Sequence, residues 1–165
     1  MRIGIIGPSK VEVLKEINKR YEEILVEIAN KVADSGVEII GVPDYGSVSE
    51  FFIKSFIDLG GKKVFSLIPL DDKEFGIGWV NVKLGEQINC GTWRNQPEKL
   101  NEECDVLLCL GYSVGVLAEI AYSKWFKPKP VYIIKELISD KLPKEIKNGL
   151  DLRYVGYRDV GDFLK

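Results

Sequence analysis

A buried strand, a glycine turn and an apolar helix follow one another directly in residues 105–122, DVLLCLGYSVGVLAEIAY. The unbroken apolar run 106–110 has the length of a strand that is buried on both faces of a sheet. Gly111 and Gly115 bracket the turn, and apolar residues then recur at helical spacing. A helix that starts after such a turn has free backbone N–H groups, which attract anions and most often phosphate. This stretch therefore predicts an anion-binding turn.

Glu119 is the only charged residue in this apolar helix. A lone carboxylate in apolar surroundings needs a partner, so we expect it to face something specific. The sequence leaves two interpretations open. Glu119 either has a structural role, near the helix start or beside a buried cation, or acts on a ligand.

Composition excludes several classes of protein. The 165 residues suit one domain, 1–165, and a net charge of −2 gives no general electrostatic basis for nucleic-acid binding. No apolar run approaches the roughly 20 residues that cross a bilayer. The chain has no histidine, which excludes a Ser-His-Asp triad and a histidine-ligated metal, so we predict no metal site. Its three cysteines form no Cys-x-x-Cys pair, and no signal peptide is expected, which favours reduced thiols in a cytoplasmic protein.

Hydrophobic periodicity predicts an alternation of strands and helices along the chain. Strands are predicted over 2–6, 37–42, 64–68, 106–110, 131–134 and 152–157, with a half-exposed strand over 80–84. Helices are predicted over 11–32, 47–59, 97–103, 114–122, 138–148 and 159–165. The alternation indicates an α/β fold that is Rossmann-like and doubly wound, with a mostly parallel sheet and helices on both faces.

Ligands of such sheets bind beyond the carboxyl ends of the strands. The segments that leave those ends are 7–9, 43–46, 69–72 and 111–115, and we expect them to form the site together. The long irregular segment 70–96 is expected to fold over them. It carries Trp79 and Trp93, which could stack on a base or simply pack, and Arg94, which could clamp a phosphate or lie at the surface.

Three segments match a family pattern in order and spacing: IIGPS at 5–9, GTWRN at 91–95 and GYSVGVLAE at 111–119. Together they resemble the LONELY GUY-type Rossmann proteins, formerly called lysine decarboxylase-like. The subgroup that includes molybdenum-cofactor carrier proteins is the most similar. The chain departs from the glycine motif at Tyr112, Ser113 and Val116, where the family has two glycines and a threonine.

The resemblance implies a small phosphorylated ligand, either a nucleotide or a ligand like the molybdenum cofactor, and a homodimer or higher homo-oligomer. In the family's phosphoribohydrolases, an arginine and a glutamate cleave the N-glycosidic bond of a nucleoside 5′-monophosphate. Arg94 and Glu119 match those two residues by position. The ligand-binding residues expected from the loops and the motif are Gly7, Ser9, Asp44, Gly46, Gly111, Tyr112, Ser113 and Gly115.

Three functions follow as hypotheses. The first is binding of a nucleotide or related molecule, with phosphoribohydrolase activity through Arg94 and Glu119. The second is a non-enzymatic carrier or sensor of a nucleotide-like cofactor such as the molybdenum cofactor, which the altered glycine motif favours. The third is a degenerate family member that has only a structural role in an oligomer.

Overall fold

The computed structural model describes residues 1–127 and 129–165. Within them it contains seven strands: β1 (Arg2–Ile6), β2 (Glu38–Gly41), β3 (Val64–Ile68), β4 (Glu86–Asn89), β5 (Val106–Cys109), β6 (Pro130–Ile134) and β7 (Asp151–Val155). It also contains four α-helices: α1 (Tyr21–Asp34), α2 (Val48–Asp58), α3 (Gln96–Glu103) and α4 (Val114–Tyr122). Short 3-10 helices cover Val11–Glu16, Ser123–Trp125, Lys135–Leu137, Lys144–Lys147 and Tyr157–Asp162.

The seven strands form one parallel sheet in the order β4-β3-β2-β1-β5-β6-β7. Strands β2 to β4 extend from one side of β1, and β5 to β7 extend from the other. The order therefore reverses between β1 and β5, where Ile6 lies opposite Cys109 at the carboxyl ends. The loops that leave these two strands diverge to opposite faces of the sheet and open a crevice, which is where ligands of such sheets bind.

Each face of the sheet carries its own hydrophobic core. Ile3 and Ile5 of β1 pack with α1 and α2 on one face, together with Phe52. Ile6 of β1 packs on the other face with residues of α3 and α4, among them Leu100. Alternate residues of the central strand thus serve opposite layers. The predicted doubly wound α/β fold with helices on both faces is confirmed.

The predicted helix over 11–32 is wrong over residues 11–20. A 3-10 helix, Val11–Glu16, comes first, and α1 begins only at Tyr21. Asn18 breaks the continuity because its side-chain oxygen accepts from Arg20 N at 2.9 Å. Its Nδ2 also donates to the carbonyl of Glu136, 3.3 Å away. An asparagine that satisfies the backbone in this way favours a turn over a helix.

The predicted half-exposed strand over 80–84 is also wrong. Val80 forms only an isolated bridge with Asp44, and the next strand is the polar edge strand β4. The cause is Asn81, whose side-chain oxygen accepts from Lys83 N at 3.3 Å and whose Nδ2 donates to Glu50 Oε2 at 2.9 Å. These hydrogen bonds curl the segment back onto the start of α2.

Two predicted C-terminal helices, over 138–148 and 159–165, are replaced by short 3-10 helices. Pro143 precedes the first of these, and Asp140 turns the chain before it by accepting from Lys141 N at 2.7 Å. The second begins earlier than predicted, because Glu136 Oε2 accepts from Tyr157 N at 3.1 Å. These side-chain hydrogen bonds compete with regular helix formation.

Gly111 is the glycine that the fold most requires. Its φ is +118°, and a Cβ placed there would lie 2.7 Å from Leu14 Cδ2 and 3.1 Å from Pro8 Cδ. Any side chain at position 111 would therefore both strain the backbone and overpack the core.

We expect Gly111→Ala to lower the free energy of unfolding by about 3 kcal/mol, because it combines both costs. The matched control is Gly46→Ala, where φ is +76° and nothing lies within 4 Å of an added Cβ. That control should lose only about 1 kcal/mol, the backbone cost alone. Urea unfolding of the two variants measures the difference, and equal losses would contradict the packing role of Gly111.

Candidate functional site

A cleft of about 340 Å³ opens at the carboxyl ends of β1, β2 and β5. It lies at the point where the strand order reverses, as expected for a doubly wound sheet. Its walls come from the loops after these strands and from the first turns of α2, α3 and α4. The lining residues are Ile5, Gly7, Ser9, Val42, Asp44, Ser47, Ser49, Trp93, Gln96, Ser113, Val114, Gly115, Val116 and Glu119.

Six of the ten residues expected at the site line this cleft: Gly7, Ser9, Asp44, Ser113, Gly115 and Glu119. Five of them come from three of the four expected loops, and Glu119 comes from α4. The fourth loop, 69–72, does not line the cleft. It supports the cleft through Asp72, whose Oδ2 accepts from Trp93 N. The other four residues, Gly46, Arg94, Gly111 and Tyr112, lie outside.

The start of α4 supplies the free amides that the glycine turn predicts. Ser113 caps the helix, because its Oγ accepts from Val116 N at 3.2 Å. The amides of Val114 and Gly115 make no hydrogen bond to the described residues, and both residues line the cleft. The first turn of α4 can therefore present two N–H groups and the positive end of the helix dipole to a ligand.

Glu119 faces the cleft from α4 and meets Gln96, which faces it from α3. Glu119 Oε2 and Gln96 Nε2 are both buried and have no hydrogen-bond partner in the described chain. Burial raises the pKa of Glu119 to about 8, and the Asp44 charge raises it further. The neighbouring Gln96 side chain lowers this pKa by hydrogen bonding, although the two groups do not form a hydrogen bond of good geometry. An acid held in its neutral form at the edge of a cleft is typical of functional sites.

Asp44 is the second acid of the cleft. It lies in the loop after β2, and its Oδ1 is buried without a hydrogen-bond partner in the parts of the chain that the structure covers. Burial raises the pKa of Asp44 to about 7. Among residues 1–127 and 129–165, no lysine or arginine lines the cleft beside these two acids. Any anionic group must therefore be held by backbone amides and hydroxyls.

Arg94 does not join Glu119 in the cleft. Its Nη1 pairs with Glu74 Oε2 at 2.7 Å, and its side chain is 71% exposed. The residues on either side of Arg94 are fixed by hydrogen bonds of the turn. Trp93 N donates to Asp72 Oδ2 at 2.9 Å, and Asn95 Oδ1 accepts from Thr92. This tight turn directs Arg94 to the surface.

The remaining three expected residues make contacts within the fold and do not line the cleft. Gly46 donates its N–H to Glu50 Oε1 at 3.1 Å and so belongs to the cap of α2. Ser47 belongs to the same cap, because its Oγ accepts from Glu50 N at 3.0 Å. Gly111 packs under Leu14, and Tyr112 lines a separate small cavity beside that leucine.

Part of the long segment 70–96 forms one wall of the cleft, and a single aspartate holds that part in place. Asp72 accepts hydrogen bonds from the backbone of Glu74, Phe75 and Trp93, and these bonds hold its pKa below its usual range. The Trp93 indole N–H donates to Gly76 O at 2.8 Å, and its ring stacks on Trp79 with centroids 5.3 Å apart. The stack brings Trp93 to the cleft as an aromatic wall.

Sequence reasoning missed Gln96, Ser47 and Ser49 as lining residues. A signal for Gln96 exists, since it lies four residues before Leu100 and therefore on the buried face of α3. A polar side chain on such a face needs a partner. Ser47 carries no comparable signal, because its role as a helix cap already explains it.

Neither a metal centre nor a membrane segment is found in residues 1–127 and 129–165. No group of three or more cysteine, aspartate and glutamate side chains there could hold a metal ion. No helix there combines the length and the apolar character needed to span a bilayer.

No protein-family model matches the sequence, and no curated protein matches it. Solved structures do match. The molybdenum cofactor binding protein of the phototrophic bacterium Rippkaea orientalis is 16% identical, with 99% of this chain and 94% of that chain covered and a TM-score of 0.76. The molybdenum cofactor carrier protein of Chlamydomonas reinhardtii is 18% identical, with 99% and 96% covered and a TM-score of 0.71. This chain shares their fold.

The raised pKa of Glu119 makes stability depend on pH. The folded protein keeps a proton that the unfolded chain, with a carboxyl pKa near 4.5, has already released. Stability from this group is fully present below about pH 4.5 and is lost as the pH rises towards about 8.

We expect Glu119→Gln to increase the free energy of unfolding at pH 8.5 by roughly 2 kcal/mol, after allowance for partial exposure, and by much less at pH 5. Urea unfolding at the two pH values measures this. The control is Glu98→Gln, which replaces an exposed acid on α3 and should change neither value. A gain that is the same at both pH values would contradict the buried titration.

Proposed function

We propose that this protein binds a phosphorylated, nucleotide-like cofactor of the molybdenum-cofactor type and acts as a non-enzymatic carrier. The observation that carries the proposal is the cleft itself, which places the free amides of α4 beside unpaired buried polar atoms of Glu119, Gln96 and Asp44. Unpaired buried polar groups are costly, so their presence at a cleft points to a ligand that pairs with them. The fold shared with two molybdenum cofactor proteins supports this choice.

The phosphate is expected at the start of α4. Val114 and Gly115, whose amides make no hydrogen bond to the described residues, line the cleft there together with Ser113 and Ser9. Binding by neutral donors and a helix dipole holds an anion without a cationic clamp. That is consistent with a carrier, which must also release its ligand.

Asp44 follows β2, which is separated from β5 and its phosphate turn by β1, so it reaches the cleft from the side opposite the proposed phosphate. Its unpaired Oδ1 suits a hydroxyl or N–H donor of the ligand.

The phosphoribohydrolase hypothesis has weaker support. Its glutamate, Glu119, lines the cleft, but its arginine, Arg94, pairs with Glu74 outside. The described residues place no cation in the cleft. The phosphate therefore lacks the arginine that the hydrolase hypothesis requires to stabilise charge during the reaction. We therefore propose binding without cleavage.

The first test is binding and turnover with defined probes: nucleoside 5′-monophosphates, and molybdenum cofactor released from a molybdoenzyme. A ligand present at 100 times its Kd should stabilise the protein by about 2.7 kcal/mol, which raises Tm by several degrees. Chromatography of the same mixtures should find no free base. Release of base that Glu119→Gln abolishes would overturn the carrier function in favour of hydrolysis.

The second test removes one phosphate donor without disturbing the helix. Val114 is the first residue of α4 and is 87% exposed, and proline is well tolerated at that position. Ser113, which precedes it, already has the extended backbone that a following proline requires.

We expect Val114→Pro to weaken binding of a nucleoside monophosphate at least about tenfold, since a hydrogen bond to a charged group is lost. The control Val114→Ala keeps the N–H and should bind like the wild type. Calorimetric titration measures both, with Tm as a check on folding. Equal affinities in the two variants would place the phosphate elsewhere.

We also propose a homodimer, formed through the exposed apolar face of α4 and the turn after it. This α4 face consists of Leu117, Ala121, Tyr122 and Trp125, which recur at helical spacing and are all exposed. A contiguous apolar patch beside a binding cleft is typical of a protein contact. A second copy is the expected occupant, because it would bury the same face on both partners.

Leu117→Glu should convert a dimer of twice the 18.6 kDa chain mass into a monomer, because a charge would be buried in the contact. Size-exclusion chromatography with light scattering gives the mass directly. The matched control is Ile57→Glu, at an exposed position of α2 away from this face. A wild-type monomer, or a dimer that survives Leu117→Glu, would contradict this arrangement.

A further inference from the structure

We infer that Glu119 and Gln96 bind the edge of a 2-aminopyrimidin-4-one ring, the ring that guanine and the pterins share. This inference rests on the proposed function, because it specifies the ring of the phosphorylated ligand. It starts from Glu119 Oε2 and Gln96 Nε2, two buried atoms on different helices that face each other across the cleft without forming a hydrogen bond of good geometry. Gln96 is only 7% exposed, so bulk water does not solvate its amide.

The hydrogen-bonding patterns of the protein and the ring are complementary. A 2-aminopyrimidin-4-one presents, in order along one edge, an amino N–H, a ring N–H and a carbonyl oxygen. The ionised carboxylate of Glu119 offers two acceptors, and the amide of Gln96 offers a donor. The carboxylate can accept the two N–H groups side by side while Gln96 donates to the carbonyl. Small rotations about the soft terminal torsions of both side chains bring these atoms to the ligand.

Asn101 fixes the two helices that carry these side chains relative to each other. Its Nδ2 donates to Pro97 O on α3 and to Glu119 O on α4, each at 2.9 Å. Asn101 is fully buried, so this link between the helices is shielded from water. The backbone positions from which Glu119 and Gln96 extend are therefore preorganised, and only their terminal torsions must adjust to the ligand.

The rest of the cleft suits a flat ring that carries a phosphate. Trp93 supplies an aromatic wall, and the free amides at the start of α4 lie in the same cleft. The volume of about 340 Å³ falls in the range of small-molecule sites.

Charge distinguishes this edge from other bases. Two N–H donors stabilise the ionised carboxylate and thus offset the burial that otherwise keeps Glu119 neutral. The adenine edge presents a ring nitrogen acceptor towards the carboxylate. Xanthine presents a carbonyl where guanine has its amino group, and that carbonyl would face a carboxylate oxygen. Both should be rejected above about pH 8, where Glu119 is ionised, because the neutral acid would offer one donor and one acceptor and would pair with either edge.

The test compares calorimetric titrations of the full-length protein at pH 8.5, where most of Glu119 is ionised, with guanosine, xanthosine and adenosine 5′-monophosphates and with 6-hydroxymethylpterin. The wild type should bind the guanosine nucleotide at least about tenfold more tightly than the other two nucleotides, since each mismatch loses hydrogen bonds to a charged group. In Glu119→Gln, the new amide presents one donor and one acceptor. That pattern fits xanthine, so the preference between the guanosine and xanthosine nucleotides should invert.

Control variants separate ring recognition from folding. Glu98→Gln changes an exposed acid on α3 and should leave the order of affinities unchanged. Gln96→Leu removes the donor and should weaken the guanosine nucleotide about tenfold without inversion. Tm of every variant reports whether it folds. The relative affinities of the pterin and the guanosine nucleotide identify which source of the ring the cleft prefers.

The outcomes separate this inference from the proposed function. Equal affinity of the wild type for all three nucleotides, weakened by Val114→Pro, would overturn the ring assignment and leave the phosphate site intact. A retained guanine preference in a folded Glu119→Gln variant would also overturn it. If none of the nucleotides, the pterin and the released molybdenum cofactor binds, both the inference and the proposed function fail.

Discussion

The parallel pairing of β1 with β5 is the constraint from which the site follows. The two strands lie side by side at the centre of the sheet, with Ile6 opposite Cys109, yet the chain leaves them towards opposite faces. Backbone from both loops must therefore separate at that edge, and the gap cannot be filled by either loop. Free amides of the α4 start line one side of the gap, and the loop after β2 lines the other.

Polar groups without partners give this gap its chemical character. Glu119, Gln96 and Asp44 each hold a buried atom that no described residue satisfies, and no cationic side chain lines the cleft. Two acids in one small volume would repel each other if both were ionised, and burial raises the pKa of each. These properties underlie our proposal that the cleft binds a neutral ring rich in N–H groups whose phosphate is held by the amides of α4.

Much of the fold could be predicted from the sequence, because apolar periodicity reports burial directly. The run 106–110 and the helix after it are observed as β5 and α4, close to the predicted bounds. The errors occur where a polar side chain bonds to the backbone, as Asn18 and Asn81 do, because periodicity carries no information about such bonds.

The candidate site is a harder problem, because it depends on contacts between distant segments. The position of Glu119 in the cleft follows from its place in an apolar helix, which the sequence displays. The position of Arg94 outside the cleft cannot be read from the sequence in this way. It depends on the ion pair with Glu74 and on the hydrogen bond between Asp72 and Trp93. Gln96 carried only a weak signal, which becomes meaningful once α3 is known to lie against α4.

A crystal structure of the protein with a bound phosphorylated ligand, guanosine 5′-monophosphate or the molybdenum cofactor, is the most direct measurement. It should place the phosphate on the amides of Val114 and Gly115 and the ring edge against Glu119 and Gln96, with Arg94 making no contact. A ligand bound beside Arg94, or one whose ring lies away from Glu119, would contradict the assignment of this cleft as the binding site.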